Sequence, residues 1–327
     1  MSYRWDELKG VCGMMPAFAT ADASNLLATN TVDVGNLQEG VDKIIKDGIG
    51  MICTTGSFGQ CYNLFFDEFQ TLVRATIEAV DKRVPLMLGV TSTNPREVAQ
   101  KIKFVRENGG EGVLLGLPYY DAMSVPKMVD FYKQVCELFP DISVMIYHNP
   151  PNHKAHIPVR AFPELIKNPN IVCMKDSHRS VAEFIALHDV IDGHIAHMCN
   201  QMQMYPFVEM GAAGCWSIDA WKGPWPIIRM YQACVEGDVE TAKRIGREMR
   251  GDGGGGDDVR AQLPDVQGPN IQELTGYIKP GAARAPFSLG PQDPNNERVH
   301  KAAARWKELC EKYRPEVEAR RKAPALV

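Results

Sequence analysis

A lysine that ends an apolar run is the first feature of this sequence with chemical potential. In Ile171-Val172-Cys173-Met174-Lys175-Asp176-Ser177, four apolar residues lead to one amine, and two polar residues follow that can open a turn. A parallel strand buried on both faces reads as such a run. If the strand carries Lys175 into a hydrophobic wall, the cost of burying an ammonium favours the neutral amine. A neutral amine attacks ketones and forms Schiff bases. The alternative is a solvated amine at a strand end, and this segment alone does not exclude it.

Other short segments offer partners for such an amine. Gly56-Ser57-Phe58-Gly59-Gln60 follows an apolar run. Its small residues let backbone N–H groups turn inward to hold a carboxylate, although ordinary tight turns use the same residues. Pro118-Tyr119-Tyr120 and Tyr147-His148-Asn149-Pro150-Pro151 end two further runs. A tyrosine there can relay protons, and Tyr147 ranks above His148, which reads as a turn residue beside Asn-Pro-Pro. Trp216-Ser217, Trp221 and Trp225 gather indoles at one rim, suited to a flat ligand or to core packing.

The elements that must position these groups alternate regularly. Apolar runs occupy residues 11–17, 48–54, 84–90, 112–117, 142–147, 171–175, 195–199 and 214–218. Helical periodicity separates them, as in Leu37, Val41, Ile44 and Ile45, or in Val98, Ile102 and Val105 after Asn94-Pro95. Eight strands alternating with helices predict an α/β fold, a (β/α)8 TIM barrel over residues 1–235, whose reacting groups gather where strands end. A doubly wound sheet is the other candidate, but the first run is followed by no Gly-rich fingerprint. Residues 236–327 read as a C-terminal helical extension packed on the barrel. Within it, residues 233–250 and 297–319 are expected helices, and the glycine-rich stretch 251–258 is an expected surface loop.

Composition narrows the function. Net charge is −4 with acids and bases interspersed, so neither a nucleic-acid partner nor a membrane surface is expected. Nine cysteines without a CxxC pair suggest reduced thiols and a cytoplasmic protein, and the first residues carry no signal pattern. His188, His194 and His197 lack the companions of a metal site, so no metal is expected. No Gly-x-Ser-x-Gly elbow supports serine hydrolysis.

Taken together, the strand ends resemble the dihydrodipicolinate synthase / N-acetylneuraminate lyase superfamily. Gly56-Ser57-Phe58-Gly59-Gln60, Pro118-Tyr119-Tyr120, Tyr147-x-Asn149-x-Pro151 and Lys175-Asp176-Ser177 stand in its order and spacing over residues 10–250. The resemblance implies that Lys175 forms a Schiff base with a pyruvyl ketone and that the Gly56-Ser57-Phe58 turn holds the pyruvyl carboxylate. It further implies that Tyr147 transfers protons, that Tyr120 reaches in from a neighbouring subunit, and that the protein is a homotetramer, a dimer of dimers. The chain departs from the synthases at Ser57-Phe58, at Gln60, and at Asn152, where an aldehyde-binding arginine is expected. An asparagine cannot replace a bidentate guanidinium clamp.

The chain looks more like the hydratase-aldolases of aromatic catabolism, which cleave trans-o-hydroxybenzylidenepyruvate or trans-o-carboxybenzylidenepyruvate. It is similar to them in the small-Phe-Gly turn, in Trp216-Ser217 followed by Gly223-Pro224, and in Asn270-Ile271 and Gly281-x-x-Arg284-x-Pro286-Phe287. Tyr120 departs from that subgroup, where a tryptophan is expected. The expected function is therefore hydration and retro-aldol cleavage of an ortho-substituted benzylidenepyruvate, with no cofactor beyond the Lys175 Schiff base. Trp216, Trp221 and Ser217 would border the aryl group, and Asn270 would position the water. His153, Lys154, Lys279 or Arg284 would supply a cation if the ortho group were a carboxylate. The alternatives are a sugar-acid lyase or synthase of the same superfamily and a barrel that only binds pyruvate.

Overall fold

The computed structural model of the chain describes residues 3–250, 270–290 and 292–322. Eight parallel strands close into a barrel in chain order, with the last paired to the first. They are β1 (Gly10–Met14), β2 (Met51–Cys53), β3 (Leu86–Gly89), β4 (Gly112–Gly116), β5 (Ser143–His148), β6 (Ile171–Asp176), β7 (Ala196–Asn200) and β8 (Gly214–Ser217). Every one of the eight apolar runs overlaps a strand. The run at 11–17 is shortened because residues 15–17 are a buried loop, apolar without being in the sheet.

The outer layer follows the same order. It comprises α1 (Val34–Lys46), α2 (Phe66–Val80), α3 (Pro95–Glu107), α4 (Val125–Leu138), α5 (Pro150–His153), α6 (Phe162–Leu165), α7 (Val181–Ile191), α8 (Met204–Phe207) and α9 (Trp225–Val235). Local chemistry sets their starts. The Asn94 side chain accepts from Arg96 N at 3.0 Å, with Pro95 in the first turn of α3. Ser180 and Glu183 form a capping box on α7.

Burial on both sides explains the unbroken apolar runs. Met145, Tyr147, Cys173 and Met198 pack inside the barrel, while Ile146, Met174 and Cys199 pack beneath the helices. Lys175 shares the inward face with Cys173, and Asp176 shares the outward face with Met174. The interior is rich in sulfur: Cys12, Cys53 and Cys173 join five methionines, and all nine cysteines are free. The Cys12 and Cys53 sulfurs lie 3.2 Å apart.

The single helix expected over residues 233–250 is instead two, α9 and α10 (Val239–Arg250). Gly237 adopts φ +72° between them, a left-handed turn that ends the first helix. Beyond residue 269 come α11 (Ile271–Thr275) and α12 (Glu297–Lys322). The latter buries Ala303, Trp306, Leu309 and Tyr313, and the Trp306 indole donates to Gly223 O at 3.1 Å. The glycine-rich stretch 251–258 lies outside the described residues. Among the described residues, no helix is long and apolar enough to cross a membrane.

Candidate active site

The end of β6 places Lys175 inside the barrel mouth. Its side chain is 3% exposed, and its Nζ sits 4.0 Å from the centroids of both the Tyr147 and the Trp216 rings. Tyr147 is the register partner of Lys175 on the neighbouring strand. Ser177 Oγ is the amine's hydrogen-bond acceptor, at 3.5 Å. The nitrogen is therefore held between two aromatic faces.

The phenol of Tyr147 belongs to a chain of hydrogen bonds. Asn149 Nδ2 donates to the Tyr147 hydroxyl at 3.0 Å, and Asn152 Nδ2 donates to Ser57 Oγ at 2.8 Å. The Tyr147 and Ser57 oxygens lie 3.0 Å apart, and either can donate to the other. Each oxygen already accepts one amide proton, so the link between them can be made by either hydroxyl proton. That arrangement is suited to passing a proton in both directions. Burial opposes ionisation of Tyr147, but the charge of Lys175 and the bonds from Ser57 and Asn149 outweigh it and bring the phenol below the usual tyrosine value.

Behind the barrel wall, Asp176 ties the strand ends together. His148 Nδ1 meets its carboxylate at 2.8 Å, Arg179 Nε at 2.6 Å and His197 Nε2 at 3.3 Å. All four side chains are buried. Burial opposes the Asp176 carboxylate, yet the hydrogen bonds from His148 and His197 hold its pKa well below the usual carboxylate range. Burial likewise outweighs Asp176 at His148 and lowers that imidazole's pKa. The Asp176 carbonyl accepts the Trp216 indole N–H at 2.8 Å, so one residue steadies both Lys175 and the ring beside it.

A cavity of about 560 Å³ opens over Ser57 and Phe58. Its aromatic wall is Phe58, Tyr62, Tyr119 and Phe287, and its polar lining includes Thr91, Asn152 and His153. This size and mixture suit a small organic ligand. His153 is buried, with its ring 4.7 Å from Tyr147. Burial first, then the charges of Lys175 and His148, push His153 down to about 3, so its imidazole is neutral at pH 7.

Several expected roles change. Ser217 is fully buried; its hydroxyl donates its proton to Gln201 Oε1 at 2.5 Å and accepts from Ala220 N at 2.9 Å, so its donor is already engaged within the fold. Trp221 is also fully buried, edge-on to Phe18, and Trp225 packs on Tyr277. Of the three rim indoles, Trp216 is the one beside the amine. The Asn270 side chain caps α11 by accepting from Gln272 N at 3.0 Å, and Asn270 is absent from the described cavity wall. Tyr120 points outward, 75% exposed, while its neighbour Tyr119 faces the cavity. Of the four candidate cations, His153 is neutral, Lys154 binds the Tyr120 carbonyl at 3.1 Å, and Lys279 is exposed. Arg284 is buried against backbone oxygens. Ser57 and Phe58 lie in a turn that lines the cavity, Gly56 lies in the bend just before it, and a β-carbon on Gly56 would come within 3.1 Å of the Met14 methyl.

Sequence reasoning missed Asn152 as a partner of Ser57, the cluster around Asp176, and the aromatic wall. The Asp176–Arg179 spacing was visible, but the histidines come from other strands, so only the barrel's closure brings them together.

Known proteins resemble this chain. Several are similar over nearly the whole chain: a trans-O-hydroxybenzylidenepyruvate hydratase-aldolase of Pseudomonas aeruginosa is 29% identical over 335 residues, covering 95% of this chain and 96% of its own. A trans-2'-carboxybenzalpyruvate hydratase-aldolase of Nocardioides sp. (strain KP7) is 24% identical, covering 94% and 95%. A 4-hydroxy-tetrahydrodipicolinate synthase of Methanospirillum hungatei is 27% identical but covers 71% of this chain. The solved structure of PhdJ bound to a substrate intermediate superposes with a TM-score of 0.86 at 22% identity, over 96% of this chain and 99% of that one, a likeness of fold. The sequence profile of the dihydrodipicolinate synthetase family matches residues 14–250, from the first strand to the end of α10, and the chain belongs to that family.

Proposed function

We propose that this protein is a Schiff-base pyruvate lyase, a hydratase-aldolase that converts an ortho-substituted benzylidenepyruvate and water into an aromatic aldehyde and pyruvate. The observation that carries this reading is the buried Lys175 amine, 4.0 Å from the Tyr147 ring, beside a phenol hydrogen-bonded to Ser57 at the floor of an aromatic cavity.

In this reading, Lys175 attacks the substrate ketone, and the turn at Gly56-Ser57-Phe58 receives the pyruvyl carboxylate. The iminium withdraws electrons along the conjugated chain, so water adds at the benzylic carbon. The enamine so formed takes a proton at the carbon next to the former iminium carbon, which restores the iminium, and Tyr147 and Ser57 remove the proton of the attacking water and later that of the new benzylic hydroxyl. Retro-aldol cleavage then frees the aldehyde, and the remaining enamine is protonated and hydrolysed to pyruvate. The iminium is the electron sink that a metal provides in other aldolases, so the reaction as written uses none. Trp216 stacks against the amine and shields it from bulk water. Tyr120 is exposed, as a residue serving a neighbouring active site in a homotetramer would be.

The full-length relatives named as hydratase-aldolases support the arylidene substrate over a sugar acid, as does the aromatic wall. Mixing the protein with 2-hydroxybenzylidenepyruvate should release pyruvate, measured with a coupled dehydrogenase, and Lys175→Ala should abolish the release. Cleavage of a keto-sugar acid in preference to the arylidene compound would overturn the assignment.

A further inference from the structure

The C-terminal tail contributes Phe287 to the cavity wall, edge-on to Tyr62 with ring centroids 5.9 Å apart. The tail is anchored far more firmly than a surface loop needs to be. Arg284 is 3% exposed and donates through Nε to Thr31 Oγ1 at 2.7 Å, through Nη2 to Thr31 O at 2.8 Å and through Nη1 to Ala17 O at 3.3 Å. Thr31 in turn donates its N–H to Glu68 at 2.7 Å, and Glu68 also accepts from Phe65 N at the start of α2. Asn63 Nδ2 holds the Ala285 carbonyl at 2.8 Å, and Ala19 N donates to Pro280 O at 2.8 Å. Gly281 lies so close to Ala19 O, with φ +77°, that a β-carbon there would collide with it. Burying this guanidinium is costly, the nearby Glu68 carboxylate offsets only part of that cost, and a loose tail could avoid it. What the anchorage achieves at its far end is a fixed position for one aromatic ring.

The rest of the wall matters as well. Among the described residues, no lysine, arginine, aspartate or glutamate lines this cavity. A negatively charged ring substituent would enter it without a cation to meet.

We propose that Phe287, held in place by the Arg284 strap, is a specificity-determining residue that selects substrates carrying an uncharged aryl group beyond the pyruvyl unit. The inference rests on the reading of the site as a pyruvate lyase. Phe287 and Tyr62 face the ring from the tail side, with Phe58 and Tyr119 completing the slot. Together they desolvate a flat apolar group, which an aliphatic chain fills poorly.

Three substrates test this on the full chain: 2-hydroxybenzylidenepyruvate, its 2-carboxy analogue and an aliphatic alkylidenepyruvate. The wild-type protein should prefer the 2-hydroxy over the 2-carboxy compound in kcat/KM by about tenfold or more. In Phe287→Ala, the ratio of kcat/KM for the 2-hydroxyaryl over the aliphatic substrate should fall by about tenfold or more, chiefly through KM. Phe287→Leu should fall between the two, and thermal melting verifies that each variant is folded. An aryl-to-aliphatic ratio within twofold of wild type in folded Phe287→Ala would overturn the proposal, as would a wild-type preference for the 2-carboxy compound. Failure of the underlying reading looks different: wild-type protein would then give no borohydride-trapped pyruvate on Lys175, whatever Phe287 does.

Discussion

The end of β6 and the strap at residues 280–287 are held in place by opposite means. At β6 the sheet does the positioning: Lys175 pairs in register with Tyr147 and Met198, and its aim follows from strand alternation. The strap has no comparable ladder, beyond a single bridge between Ala19 and Gly281. It is placed instead by side chains that reach across the chain, with Arg284 on Thr31 and Asn63 on Ala285. In the proposed reading, chemistry sits where the sheet sets the aim of a side chain, and selectivity sits where a few buried polar contacts hold the tail.

The sharpest way to break this contrast is at the strand end. Lys175→Ala should lower turnover of an arylidene pyruvate by at least about ten-thousandfold, because the covalent route is lost. Tyr147→Phe removes only the hydroxyl, and kcat should fall by about a hundredfold to ten-thousandfold with Schiff-base formation still detectable. Asn149 and Ser57 would then lose their shared partner.

Asp176→Asn probes how the strand ends are held together. It strips the charge that Arg179 faces in a buried site, which should destabilise the protein by about 3 kcal/mol at pH 7, read by urea denaturation. The sign with pH is fixed by the lowered carboxyl: its contribution is complete above the unfolded value near 4 and is lost as pH falls through its folded value. The gap between wild type and variant should therefore be full at neutral pH and shrink in acid below about pH 4.

The smallest effect on chemistry belongs to the strap. Arg284→Met should cost about 2 kcal/mol of stability through its lost hydrogen bonds. It should also reduce the preference for aryl over aliphatic substrates in the direction expected for Phe287→Ala. Equal losses of activity on all substrates would show that the strap supports the barrel as a whole.

The barrel was legible because burial on both sides leaves a signature that needs no partner to read: a strand such as residues 112–116 is apolar throughout. Lys175, Tyr147 and the Ser57 turn were legible for a related reason, since each sits where an apolar run stops. Ser217 and Trp221 were misjudged because a strand end alone does not say which face a side chain takes. Ser217, one residue beyond the inward Trp216, falls behind the wall and bonds Gln201, while Trp221 lies past the strand in the turn Asp219–Lys222 and meets Phe18. Arg284 was one of four candidate cations for a carboxylate substituent because a lone arginine in a turn-rich tail gives no sign of Thr31, which lies 253 residues away in sequence. The aromatic wall was hidden for the same reason, as Phe58, Tyr119 and Phe287 meet only after closure of the barrel and docking of the tail.

The most direct test of the central claim is to incubate the wild-type protein with pyruvate, reduce it with borohydride, and map the adduct by peptide mass spectrometry. The account predicts one reduced pyruvyl unit per chain, on Lys175, and none in Lys175→Ala. An adduct on another lysine, or full turnover by the alanine variant, would contradict it.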